Sequence, residues 1–137
     1  CAASLSWMPV TGPALAAFLF AASALVLPVA DRFKSARPLA EAAARLAGNR
    51  ALAYYGDDLQ AAYPYYANRR LDHVDANEGG GQRLEAYFRA HPEALVLMRR
   101  RDYDRLAKLN PPLHAKLGTP LERRVGAKDM VAAELER

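Results

Sequence analysis

Three consecutive arginines, Arg99-Arg100-Arg101, leave the apolar run Ala94-Leu95-Val96-Leu97-Met98, and guanidinium groups at a strand end can hold a phosphate or a lipid headgroup through paired hydrogen bonds. A solvated run with one arginine paired to Asp102 or Asp104 explains the same residues without a ligand. Asp57 and Asp58 follow Gly56, at the end of the aromatic run Ala51–Tyr55, where a carboxylate could contact sugar hydroxyls or move a proton. Capping of the next helix accounts for that pair equally well. Tyr54, Tyr55, Tyr63, Tyr65 and Tyr66 form the densest aromatic cluster; core packing suits most of them, and Tyr65 and Tyr66 are the candidates to flank a sugar or lipid cavity.

Other chemistries find little support. Gly79-Gly80-Gly81 before Gln82 could cradle a phosphate, but the Lys and Ser/Thr of a P-loop do not follow, so a flexible loop is expected. His73, His91 and His114 are scattered without metal-ligand spacing, and Asp72-His73-Val74-Asp75 on a strand would send neighbours to opposite faces. Cys1 is the single cysteine, which excludes an intrachain disulfide and a cysteine-based zinc site. No catalytic residue, metal ligand or cofactor site is expected within this chain, and the metal need of a longer parent stays open.

The elements that must position these groups begin at a seam. All 19 Lys+Arg and all 15 Asp+Glu of the 137 residues lie from Asp31 onward. The stretch Val10–Ala30 carries no charge and meets the ~20 residues needed to cross a ~30 Å hydrocarbon core as a helix. Pro13 and Pro28 are expected at its ends, Trp7 at one headgroup boundary, and Arg32, Lys34 and Arg37 beyond the other. The chain thus has two parts: residues 1–30, a transmembrane helix with its preceding loop, and residues 31–137, one small soluble domain. The start, Cys1-Ala2-Ala3-Ser4, looks like that of a mature lipoprotein but continues into an apolar run rather than a polar tether, and no basic n-region marks a cleavable signal. A fragment of a longer chain is expected.

In the second part Ser35 can cap a helix with Pro38 in its first turn and Gly48 after its end. Ala51–Tyr55 and Ala94–Met98 read as buried strands, Arg70–Val74 as a half-buried one, and Leu121–Val125 with Met130–Leu135 as paired edge strands. Helices are expected at Leu59–Tyr66, from Gln82 to Pro92, and from Asp102 to Asn110-Pro111-Pro112. The fold class is therefore α/β: one N-terminal transmembrane helix, then a layered domain with a mixed sheet of about four to five short strands. The net charge of +4 is interspersed with acids, so no nucleic-acid footprint is expected, whereas membrane lipid is a suitable neighbour.

The segments Asp31–Glu41 (DRFKSARPLAE), Ala53–Tyr66 (AYYGDDLQAAYPYY), Arg69–Asp75 (RRLDHVD) and Leu95–Tyr103 (LVLMRRRDY) occur in an order that resembles the C-terminal end of bacterial membrane glycosyltransferases of the protein mannosyltransferase and lipid A aminoarabinose transferase superfamily. The counterparts of that family's strand-ending Tyr-Gly, Pro-bearing helix and strand running into Val-Asp are Tyr55-Gly56, Ala62-Tyr63-Pro64-Tyr65-Tyr66 and Val74-Asp75. Tyr65 stands where Phe is common, and Ala62 replaces a usual Ser. The resemblance covers nearly the whole chain after Gly12. It implies a multi-span parent that transfers sugar from a polyprenyl-phosphate carrier to a lipid or protein acceptor, with catalytic groups in earlier loops and this domain outside the cytoplasmic membrane. The basic residues after the span favour the cytoplasmic side instead, and the family orientation is preferred because a last helix inherits its direction from preceding spans. A membrane-anchored interaction module without enzyme activity is the alternative.

Overall fold

The computed structural model describes residues 8–57 and 59–136, with side chains of the first helix described from 12 to 28. Trp7, Cys1 and Asp58, each singled out by sequence, lie outside the described residues. The chain divides into two compact units, Cys1–Phe33 and Lys34–Arg137.

In the first unit a single helix, α1, runs Met8–Lys34. Ala, Leu and Phe supply its propensity, and the charges after Ala30 end the apolar run without ending the helix, because no breaker follows Pro28. Pro13 and Pro28 are thus inside α1 rather than at its ends. Lacking an N–H, Pro28 leaves the carbonyl of Ala24 without its helical donor. Leu15, Phe18, Leu19, Phe20, Leu25, Val26 and Leu27 are all exposed, with Phe20 at 78%. These positions surround the axis, unlike the single apolar stripe of a helix lying on a water-soluble core. Among the described residues, no helix is long and apolar enough to cross a membrane.

The second unit is an α/β/α sandwich. Its elements are α2 (Arg37–Ala47), β1 (Leu52–Gly56), α3 (Ala62–Ala67), β2 (Asp72–Asp75), α4 (Gly80–Ala90), β3 (Leu95–Arg99), α5 (Arg100–Leu109), α6 (Pro111–His114), β4 (Leu117–Val125) and β5 (Lys128–Leu135). They build a five-stranded mixed sheet ordered β2-β1-β3-β5-β4, in which β1 pairs parallel with β2 and β3, and β5 pairs antiparallel with β3 and β4. The period-2 geometry of a strand splits the apolar runs between two faces. Leu52, Tyr54, Leu95, Leu97, Met130 and Ala132 pack with Leu39, Ala40 and Ala43 of α2 and Tyr63 of α3. Ala53, Tyr55, Val96, Met98, Val131 and Ala133 pack with Leu84 and Phe88 of α4, Leu106 of α5 and Leu113 of α6. Burial on both faces explains why β1 and β3 read as continuous apolar runs instead of alternating ones.

Several expected boundaries shift. Gly48 ends α2 at φ 55°, as its sequence predicts, but the N-cap is Ala36 without a side-chain cap, and Ser35, one residue earlier, accepts the Arg37 N–H at 3.2 Å. The helix expected from Leu59 begins only at Ala62, and no aspartate caps it. The helix expected to open at Gln82 opens at Gly80, and the one expected at Asp102 opens at Arg100. The strand expected over Arg70–Val74 is Asp72–Asp75. Of the two strands read as edges, only β4 is one: β5 lies between β3 and β4, with Met130–Ala133 fully buried. β4 carries an edge strand's protections, Pro120 beside a register irregularity and the exposed Arg123 and Arg124. The hairpin turns at Gly126-Ala127 with a positive φ at Gly126 (61°) and none at Ala127, the pattern of a II′ turn.

Candidate functional site

The order β2-β1-β3 makes the gap between β1 and β3 a topological switch point. From β1 the chain moves outward through α3 to β2, then returns through α4 across β1 to β3. Right-handed crossovers running in opposite directions place their helices on opposite faces, and α3 and α4 do belong to opposite core clusters. The loops leaving the carboxyl ends of β1 and β3 therefore diverge and open a crevice, the usual ligand position in an open α/β sheet. Asp57 leaves β1 there, and Arg99, Arg100 and Arg101 leave β3.

These residues meet. Arg101 Nη2 stands 3.8 Å from Asp57 Oδ2, and its Nε 3.6 Å from Asp102 Oδ1, both too long for good hydrogen bonds. Arg100 is engaged: Nε donates to Asp104 at 3.1 Å, Nη1 donates to Glu122 at 2.8 Å, and the guanidinium lies 5.6 Å from the centre of the Tyr103 ring. The bland pairing that sequence suggested thus holds for Arg100 through Asp104. Arg99 makes no described side-chain hydrogen bond or ion pair. Its side chain shares the α2/α3 face with Leu95 and Leu97, near Tyr63.

Lys128 and Asp129, at the start of β5, complete the edge, because Arg99 is in register with Met130. With Arg99, Arg100, Arg101, Asp104 and Ala127 they line an open hollow of about 490 Å³. A neighbouring hollow of about 380 Å³ shares Arg100 and Asp129 and adds Glu122, Arg123 and Arg124. Sequence reading missed Lys128 and Asp129. The II′ signal at Gly126 was present, but nothing local shows that β5 pairs with β3.

Two arginines toward the opposite edge are bonded into the fold. Arg50 donates to Glu134 at 2.6 Å and to the carbonyls of Leu46 at 2.7 Å and Ala47 at 3.2 Å. Arg69 donates to the carbonyls of Gly48 at 2.7 Å and Arg50 at 2.6 Å. They tie the C-terminal end of α2 to the sheet.

At the carboxyl edge the cations oppose the helix dipole. Arg99 is the N-cap of α5, with no side-chain cap, and Arg100 and Arg101 begin the helix. A cation at a helix N-terminus is unfavourable by roughly 0.3–1 kcal/mol when exposed. Asp102, in the same turn, is 3% exposed, and its Oδ1 accepts no hydrogen bond among the described residues. It is not the helix cap that sequence suggested, since it lies inside α5 rather than before it.

Of the tyrosines, Tyr54, Tyr55 and Tyr63 are core. Tyr54 and Tyr63 stack at 5.5 Å, and the Tyr54 ring leans over Gly56, where an added Cβ would lie 2.6 Å from Tyr54 Cε1. That close approach is why glycine ends β1. Tyr65 and Tyr66 make an edge-on pair at 5.1 Å, with Tyr65 77% exposed, and no described contact joins them to Asp57 or Arg99–Arg101. Among the described candidates, Tyr65 and Tyr66 thus stand apart from Asp57 and Arg99–Arg101. His73 lies on edge strand β2, and its Nε2 donates to the Gly56 carbonyl at 2.9 Å, which makes the histidine a loop tie. The glycine run forms the turn into α4: Gly79 has φ 77°, and Arg83 donates to the carbonyls of Asp75 and Glu78. Among the described residues no group of three His, Cys, Asp or Glu is placed to hold a metal ion.

Burial pushes the Tyr63 phenol up to about 12, raises Tyr55, and, with the Asp72 carboxylate accepting its hydroxyl at 3.0 Å, raises Tyr87. An acid whose folded pKa is raised keeps its proton while the unfolded chain loses its own, so above the unfolded value of ~10 the unfolded state binds fewer protons and stability falls. The loss is expected to start near pH 10 and continue to about pH 12. Urea midpoints followed by circular dichroism should be level from pH 8 to 9.5 and drop at pH 11. A level midpoint through pH 11.5 would mean that these phenols titrate freely when folded.

Comparison with protein-family models, with characterised proteins and with solved structures returned no match to this chain.

Proposed function

We propose that this chain is the C-terminal part of an integral-membrane glycosyltransferase moving a sugar from a polyprenyl-phosphate carrier to a lipid or protein acceptor. In this reading α1 is the last transmembrane helix, spanning at Val10–Ala30, and residues 34–137 form a non-catalytic domain that caps or steadies the membrane half on the extracytoplasmic side of a bacterial inner membrane. One observation carries it: a stretch free of charge up to Ala30 leads within a few residues into an ordered α/β domain. Apolar side chains exposed all around α1 suit lipid as solvent, and prolines inside a helix are tolerated there because neighbouring groups satisfy the freed carbonyls. The segments in the order KSARP, Tyr55-Gly56, Val74-Asp75 and Leu95–Tyr103 support the family resemblance.

Expressed whole in bacteria, the chain is expected to sediment with the inner membrane and to resist extraction by alkaline carbonate. In spheroplasts carrying the longer parent, whose preceding spans set the direction of the last helix, protease is expected to digest the α/β domain from outside. Recovery in the soluble fraction would overturn the span, and protection of the domain would reverse its orientation. Removing residues 34–137 from the longer parent is expected to lower transfer at least tenfold. Undiminished transfer would mean that the domain does not steady the membrane half, and a parent without transfer activity would favour a membrane-anchored interaction module.

A further inference from the structure

We infer that the hollow between the start of α5 and the β4–β5 turn is a phosphate-binding site, held by Arg99, Arg101 and Lys128. This assignment stands apart from the transferase reading. Two observations converge on it.

The first is unspent charge. Arg100 is committed to Asp104 and Glu122, whereas Arg99 and Lys128 have no described hydrogen bond or ion pair, and Arg101 touches carboxylates only at 3.6 and 3.8 Å. Arg50 and Arg69, by contrast, each donate to two backbone carbonyls and are committed to the fold. The second is an uncapped helix of 10 residues whose N-cap and first two positions are all arginine. Free N–H donors and three cations share that end, and an anion relieves both at once. Two carboxylates stand against Arg101, Asp102 Oδ1 at 3.6 Å from its Nε and Asp57 Oδ2 at 3.8 Å from its Nη2, and a bound anion competes with both.

Planar forked donors beside an ammonium group match a tetrahedral dianion better than a single carboxylate. The shared chemistry is a phosphate monoester, which a lipid headgroup or a free phosphorylated molecule could supply. Asp104 and Asp129 on the rim set an upper limit on affinity, since both repel the ligand.

The test uses the whole chain in nanodiscs. Calorimetry with inorganic phosphate measures the free source, and nanodiscs in which phosphatidic acid replaces phosphatidylcholine measure the lipid source by ³¹P line broadening. Binding of either source is expected, at least tenfold tighter than acetate. The double variant Arg101→Gln/Lys128→Gln is expected to weaken it at least tenfold, Asp129→Asn to tighten it about threefold, and Arg123→Gln/Arg124→Gln, with equal charge loss on β4, to change it less than threefold. If the double variant fails to fold by circular dichroism, Lys128→Gln alone, at a partly exposed position, is expected to weaken binding about threefold. No binding of either source, binding no tighter than acetate, or equal weakening by the β4 pair would overturn the site. A chain that binds phosphate but stays out of membranes would sink the transferase reading alone; one that enters membranes but binds no phosphate would sink only this site.

Discussion

Replacing Leu97 with alanine is expected to cost the α/β domain about 3 kcal/mol, because Leu→Ala in a core removes 2–5 kcal/mol through lost transfer energy and the cavity left behind. Leu97 is fully buried at the middle of β3, in register with Tyr54 on one side and Ala132 on the other. Its side chain belongs to the cluster under α2 and α3 and is walled by strands on both flanks, so the site has little room to collapse. Domains of this size hold roughly 5–15 kcal/mol in all, and each kcal/mol shifts the melting temperature by about 4–8 °C. A fall of roughly 12–24 °C is therefore expected in a thermal melt followed by near-ultraviolet circular dichroism. Leu46→Ala, at an exposed position of α2, serves as the control and should move the midpoint by no more than a few degrees. Equal shifts for the two variants would contradict a central β3.

Gly80→Ala and Gly81→Ala are expected to act with opposite signs, although the two residues are neighbours in the first turn of α4. Helix propensity favours alanine over glycine by about 1 kcal/mol at either position. At Gly80 an added Cβ would lie 2.9 Å from Tyr55 Oη and 3.0 Å from the Asp75 carbonyl oxygen. The carbonyl is backbone and Tyr55 is buried, so neither can withdraw cheaply, and overpacking of this kind costs roughly 1–3 kcal/mol. At Gly81 the nearest atoms, Asn110 Cβ and Leu109 Cβ, would be at 3.5 and 3.6 Å, ordinary contact distances. A net loss of about 1–2 kcal/mol is expected for Gly80→Ala and a gain of up to about 1 kcal/mol for Gly81→Ala, read from urea midpoints. A stabilising Gly80→Ala would mean that the β2–α4 turn does not pack on Tyr55. This pair also recasts the glycine run: its sequence suggests a flexible loop, whereas the close approach to Tyr55 gives Gly80 a packing role.

Local patterns carried much of this domain. The apolar runs at Ala51–Tyr55 and Ala94–Met98 became β1 and β3 because a strand buried on both faces needs no polar alternation. Pro38 and Gly48 bounded α2 because helix-end signals act within a few residues, although the N-cap is Ala36 rather than Ser35. Where burial rather than capping chose the boundary, the expected element ends are displaced. α3 waits until Ala62 so that Tyr63 can stack on Tyr54, and α5 begins two residues before Asp102 so that this carboxylate lies in the first turn. The run of three arginines was visible, but its partners were not. Exposed ion pairs are worth only about 0–1 kcal/mol, too little for sequence proximity to select among acids, and Arg100 reaches Glu122 on β4 as well as Asp104.

Sequence alone determined the seam at Asp31, the α/β class of the part that follows it, read as residues 31–137, and the two strands at the heart of the sheet, because charge and hydrophobic periodicity are written residue by residue. Tertiary structure alone decided the order β2-β1-β3-β5-β4, the burial of β5, and the meeting of Arg99 and Arg101 with Lys128 at one edge. Those depend on which strands pair across long loops, a choice made by crossover handedness and the shared core, and no short window of residues contains it.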